Sequence, residues 1–369
     1  MIYLDYNATA PVRPSILEAW AALSGLPLNP SSAHRAGRQA NKLVEDARAS
    51  IASHLGAFAN EVVFCGSATE ANNQVLRAFA TTHRLLVSAI EHPSIAKTAS
   101  LLGASVLPVD GQGLVKVDLL AAQLAALDGQ PALVSVMLAN NETGVIQPLA
   151  EIATLCKTYG ALLHTDAVQA LGKMPLDWGL LGADMMTLSA HKAGGRVGAA
   201  ALLIRNDLPI KPLLTGGGQE LGRRAGTENV AAIAAFGQVV AEVAAAPQAQ
   251  AWAGWRDQLA DQLLAACPQA VVFGTEAARL PNTLQIAMPG VSSETQLMHF
   301  DLAGFAVSAG SACSSGRIEP SPVLLAMGVA PELAKTAIRL SFGWQTTQDE
   351  LASFAACWIQ LATRLAKAA

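Results

Sequence analysis

Apolar and polar positions along the first two thirds of this chain fall into blocks with two different periods. Ala40, Leu43, Val44, Ala47, Ile51 and Leu55 recur three and four residues apart, one stripe of a helix that Gly56 is placed to cap. Short apolar runs bounded by turn residues follow at 61–65, 85–90, 133–138, 161–165, 184–188 and 198–204. Helical patterns separate some of them, one opening at 66–70 and running through Arg77 and another over 149–159. Strands alternating with helices of this length predict right-handed crossovers and an α/β fold built on a mainly parallel sheet. Residues 1–13 read as a short extended arm ending in a turn. From Trp255 onward helices mix with short strands such as 283–287, and 247–254 is the expected crossover between two units.

Composition narrows this picture. The chain has 369 residues, 52% hydrophobic and 14% charged, which suits a large buried core with a second smaller one. A net charge of -4 without any Lys/Arg run argues against nucleic-acid or membrane-surface partners. Apolar runs stop short of membrane-span length, and the start Met1-Ile2-Tyr3-Leu4-Asp5 lacks the features of a signal peptide. Five cysteines with no C-x-x-C pair fit a reducing, cytoplasmic compartment and point to no metal site.

In a parallel sheet, ligands bind beyond the carboxyl ends of the strands. Thr69, His92, Asn141, Asp166 and Lys192 fall at those ends. A lysine there is poorly hydrated, so its amine is readily neutral and nucleophilic, as a Schiff base with a carbonyl cofactor requires. Lys192 is therefore the candidate anchor for pyridoxal 5'-phosphate. Gly66, Ser67, Ala68 and Thr69 open a helix and offer amides to its phosphate, or form an ordinary cap; Ser189 and His191 are further phosphate donors. Asp166 suits a protonated pyridine nitrogen, or caps the helix that follows. Gln169 and Asn141 would reach the ring oxygen, and His92 would stack on the ring and relay protons or serve only the turn before Pro93. Arg339, in an apolar segment, needs a carboxylate, either from an amino-acid substrate or from an internal salt bridge. Cys313, in the glycine- and serine-rich segment 309–316, is a cysteine placed to react, whereas Cys65, Cys156, Cys267 and Cys357 read as inert.

Together these residues resemble the class V aminotransferase group of pyridoxal phosphate enzymes, and more specifically the cysteine desulfurases. The motifs run nearly end to end: Tyr3-Leu4-Asp5 with Asn7-Ala8-Thr9, Asn29-Pro30-Ser31-Ser32-Ala33-His34, Ala68-Thr69-Glu70-Ala71-Asn72-Asn73, Glu91-His92, Asn140-Asn141-Glu142-Thr143-Gly144, Asp166 with Gln169, Ser189 to Lys192, Gly226-Thr227-Glu228-Asn229, Gly310-Ser311-Ala312-Cys313 and Ile338-Arg339. The resemblance implies the fold type I of pyridoxal phosphate-dependent transferases. A large cofactor-binding domain would span 14–248, and a smaller α+β domain would comprise 1–13 and 249–369 and carry the Cys313 loop.

It also implies catalytic roles for Lys192, Cys313 and His92. Ala68, Thr69, His92, Asn141, Asp166, Gln169, Ser189, His191 and Lys192 would bind the cofactor, joined by Thr227 from the other subunit of a homodimer. Asn141 and Arg339 would bind L-cysteine. The sulfur would leave as a persulfide on Cys313 for iron–sulfur cluster assembly or another acceptor protein. A selenocysteine lyase or an aminotransferase of the same group is the competing expectation.

Overall fold

Short runs of Val, Leu, Ala and Met form the centre of the molecule, because helices on both faces let such strands bury every side chain. The computed structural model describes residues 1–206, 208–244, 249–309 and 319–366. After Ile2–Tyr3 (β1) come Val62–Cys65 (β2), Arg84–Ser88 (β3), Ser105–Leu107 (β4), Ala132–Ser135 (β5), Leu162–Asp166 (β6), Met185–Ser189 (β7) and Ala200–Ile204 (β8). Strands β2 to β8 make one seven-stranded sheet in the order β2-β8-β7-β6-β5-β3-β4. In it β8 runs antiparallel to its neighbours β2 and β7, and the other pairings are parallel. This is the expected α/β fold with a mainly parallel sheet.

The helix Arg35–Leu55 carries the predicted stripe and ends at Gly56, whose φ of 68° is the left-handed cap conformation. It lies against the helix Val230–Ala244 at a separation that only glycine permits at Gly237. A Cβ there would come within 2.6 Å of the Ala47 Cα.

Val271–Val272 (β9), Thr283–Ala287 (β10), Phe305–Ala306 (β11) and Ala337–Ser341 (β12) complete the strands among the described residues. A second sheet has the order β12-β10-β9, and β1 pairs in parallel with β11. A separate hydrophobic cluster unites Leu4 of the N-terminal arm with Trp252, Phe300, Ile338, Phe354 and Trp358. The C-terminal third is not confined to that cluster, since Phe273, Ala287, Val323 and Leu324 join the core around the large sheet. The helix Ala249–Ala266 occupies most of the stretch expected to be a crossover. Strand β4 escapes sequence reading because two of its three residues are exposed, and β12 because Arg339 breaks its apolar run.

Candidate active site

A cavity of about 910 Å³ lies where the parallel strands end. Ala68, Thr69, His92, Asn141, Asp166, Gln169, Ser189, His191, Lys192 and Arg339 all line it. Two expected residues stand apart. Thr227 is exposed and does not line this cavity, and Cys313 lies outside the described residues.

Lys192 ends the short 3-10 turn Ala190–Lys192 that follows β7. Its Nζ donates to the backbone carbonyls of Asn7 and Ala8 at 2.6 and 2.7 Å. Burial, reinforced by the nearby Arg339 guanidinium and opposed by Asp5 and Asp166, pulls the amine down to about 8. An amine with that ionisation is partly neutral near physiological pH, as a nucleophile must be.

Asp166, the last residue of β6, is fixed through both oxygens. Oδ1 accepts from the Val168 amide at 3.0 Å and Oδ2 from Asn72 Nδ2 at 2.8 Å. The same Asn72 nitrogen lies 2.9 Å from Ser94 Oγ, and that hydroxyl is 2.8 Å from His92 Nδ1. His92 Nδ1 also accepts from the Ser94 amide at 3.2 Å and caps the helix Pro93–Leu101. Capping and facing the cavity are thus one geometry, and a ring that accepts at Nδ1 carries its proton on Nε2 when neutral. Burial, with the charge of Lys192, keeps His92 below its ordinary value despite Asp166.

At the other end, Ser67 caps the helix Ala68–Phe79 by accepting from the Glu70 amide at 3.1 Å, and the Gly66 amide donates to Glu70 Oε2 at 2.9 Å. Glu70 is in turn paired with Arg224 at 2.8 Å. The first-turn amides of Ala68 and Thr69 need partners from outside the helix and lie against the cavity. His191 contributes from the facing turn, its Nδ1 3.1 Å from Thr9 Oγ1; burial first, then Lys192 and Lys173, hold it at about 4 and therefore neutral.

Arg339, in β12, makes one of the two contacts the sequence left open, the internal salt bridge. Nη2 pairs with Asp5 at 2.6 Å, Nη1 donates to the Asn141 carbonyl at 2.9 Å, and Nε has no partner among the described residues. The internal salt bridge is therefore real, and the residue also borders the cavity. Gln169 differs from expectation in that its amide is already engaged: Nε2 donates to the Asn7 carbonyl at 3.0 Å and Oε1 accepts from Lys173.

Lys173 was not singled out from sequence, and Asn7, Asn72 and Glu91 entered only as members of the family motifs, with no role of their own. Asn7 and Asn72 act through amide groups that look like any turn or helix polar residue until the fold brings the strands together. Lys173, four residues after Gln169, carried a weak signal as a lysine within an apolar turn. Glu91 keeps Oε1 bonded to the Met137 amide at 2.7 Å, while burial pushes its carboxyl up to about 8. Cys65, Cys156 and Cys267 are buried, and Cys357, half-buried, lies 3.7 Å from His299 Nε2 rather than wholly in the core.

The donor set fits pyridoxal 5'-phosphate. A carboxylate held rigid at both oxygens lines the same space as a partly neutral amine, the first-turn residues Ala68 and Thr69, a neutral histidine and a guanidinium. The comparisons agree with that fit. The family model for aminotransferase class V matches residues 2–354. The cysteine desulfurase IscS of Dictyoglomus turgidum is 38% identical over 363 residues, covering 95% of this chain and 91% of that protein. An IscS-like cysteine desulfurase of Mycobacterium tuberculosis is 36% identical over 370 residues, covering 95% and 93%. The solved structure of a NifS-like protein from Rickettsia africae matches with a TM-score of 0.90 at 38% identity, covering 98% of this chain and 99% of that one. On matched length, identity and fold, the chain belongs to the class V aminotransferase family of pyridoxal phosphate-dependent enzymes, in its cysteine desulfurase group.

Proposed function

We propose that the cavity converts L-cysteine to L-alanine and passes the sulfur, as a persulfide on Cys313, to an acceptor protein. The observation that carries this reading is the buried amine of Lys192, held near Asp166 and Arg339 and drawn down to about 8. Pyridoxal 5'-phosphate, when bound, supplies the electron sink that makes the substrate Cα–H acidic and accepts the electron pair left when the C–S bond breaks.

The remaining steps belong to the chain. Lys192 anchors the cofactor and, once free, takes the Cα proton on Nζ. Asp166 would hold the ring nitrogen, His92 would lie against the ring, and Asn141 would reach the ring oxygen beside Gln169, whose amide is engaged with Asn7 and Lys173. Ala68, Thr69, Ser189 and His191 would bind the phosphate, and Arg339 would take the substrate carboxylate. The Cys313 thiolate attacks the substrate sulfur: an S–S bond forms, the C–S bond breaks, and its electron pair and two protons end on alanine. No outside oxidant is needed.

Thr227, exposed and away from its own cavity, fits a homodimer in which each copy completes the other's phosphate site. Among the described residues no helix is long and apolar enough to cross a membrane, which with the cysteine usage supports a cytoplasmic enzyme handing sulfur to iron–sulfur scaffolds or other acceptors. The shared cluster of Leu4 with residues 252–362 supports 1–13 and 249–369 as the smaller domain.

The test is a pair of variants. Lys192→Ala should lose the visible absorption of the bound cofactor, whereas Cys313→Ser should keep the colour and lose both alanine formation and the added sulfur on the Cys313 peptide by mass spectrometry. Alanine formed by Cys313→Ser at the wild-type rate would remove the nucleophile assignment, and an unchanged band in Lys192→Ala would remove the anchor.

A further inference from the structure

Lys173 is buried to 5% exposure and has no carboxylate among its hydrogen-bond partners. Its Nζ donates at 2.8 Å to Asn7 Oδ1 and also to Gln169 Oε1. An amine bonded in this way only donates, so it dictates which way both carboxamides face. Asn7 must turn Nδ2 outward, to Thr283 Oγ1 at 2.9 Å and the Asn141 carbonyl at 3.1 Å. Gln169 must turn Nε2 back to the Asn7 carbonyl at 3.0 Å.

The Asn7 amide is taken as well, by Ser341 Oγ at 2.9 Å. The carbonyl of Asn7 is therefore fixed from three directions, and it is the atom on which the Lys192 amine rests at 2.6 Å. Both amines also border a second cavity of about 20 Å³, wide enough for one water molecule.

We propose that Lys173 is a positioning residue for the catalytic lysine: by clamping Asn7 and Gln169 it holds the two-carbonyl berth that receives the Lys192 amine whenever that amine is not bonded to the cofactor. Two carbonyl oxygens favour an ammonium over a free amine, so the berth is where Lys192 keeps a proton taken from the substrate. Burial drives Lys173 itself well below the ordinary lysine value.

This inference rests on the function proposed above, and its test separates the two. In wild-type holoenzyme, the cofactor band and alanine formation report on the function; the Lys173→Met holoenzyme reports on the berth. Lys173→Met should lower kcat about tenfold with KM for cysteine changed less than about twofold, the signature of a misplaced catalytic group. In the cofactor-free full-length protein, the pH dependence of Lys192 acetylation, read on its peptide by mass spectrometry, should shift downward by about one unit.

Asn7→Ala removes the other end of the same bond and should reproduce both effects, with the double variant no worse than either single one. An unshifted or upward-shifted acetylation profile, or strictly additive losses, overturns the proposal. Should Lys173→Met fail to fold, the acetylation profile of Asn7→Ala decides in its place.

Discussion

Arg339 and Asp5 meet at 2.6 Å across 334 positions of sequence, tying β12 to the N-terminal arm at the edge of the cavity. The pair holds the guanidinium by one nitrogen, and Nε is left without a partner among the described residues. With Nη1 also held by the Asn141 carbonyl at 2.9 Å, the fork is set in one orientation at the cavity wall and can meet a carboxylate without searching for it.

Arg339→Lys keeps the charge and loses the fork. It should raise KM for cysteine about 10- to 100-fold, the worth of a lost charge-assisted hydrogen bond. Competition experiments with cysteamine, which lacks the carboxylate, give the control: its inhibition constant should be equally weak for wild type and variant. A cysteamine difference as large as the cysteine difference would show that Arg339 shapes the cavity rather than reading the carboxylate.

The ionisation of Lys192 sets two pH dependences. Capture of the cofactor by apoprotein needs the neutral amine, so its rate should climb as pH rises through about 8 and then level off. Stability moves in the same direction with pH, through the difference in protons bound. Between about 8 and the ordinary 10.5 the unfolded chain still holds a proton that the folded chain has lost. The apoprotein should therefore gain stability from this group as pH rises across that window, and lose it again as pH falls back to 8. Urea unfolding of wild type against Lys192→Met at several pH values measures the difference, and parallel curves would contradict the assignment.

Glu220 is buried against Arg48, with both carboxylate oxygens at 2.8 Å from the guanidinium, and Oε2 also accepts from the Phe64 amide at 2.8 Å. Removing it leaves the Phe64 amide without a partner and the buried Arg48 with only the half-exposed Glu45 and the Val62 carbonyl. Glu220→Ala should cost about 3–5 kcal/mol in urea unfolding. Its φ of 51° adds a second readout, because glycine relaxes in that conformation. Glu220→Gly should therefore lose about 1 kcal/mol less than Glu220→Ala. Under the phosphate role proposed above for Thr227, the cofactor should also dissociate faster from both variants.

The ends of the parallel strands were legible because the two signals there reinforce each other. An apolar run forced inside by helices on both faces must stop where a polar residue begins, and in a parallel sheet those stops share one edge. Thr69, His92, Asn141, Asp166 and Lys192 could thus be placed together before any coordinates. The helix Leu149–Tyr159 and strand β10 were read with their limits correct, since periodicity and turn residues bounded them on both sides.

What sequence did determine, then, is the sheet and the row of side chains along its edge, because burial patterns are written in residue types. Tertiary structure alone decided the role of the first ten residues and of Lys173. The Lys192 amine rests on backbone carbonyls of Asn7 and Ala8, and every residue has a carbonyl, so no side-chain type announces that contact. Lys173 likewise becomes a clamp only when the arm, some 166 positions away, is folded against it. Acceptors made of backbone, and partners joined across the whole chain, exist only once the chain has closed on itself.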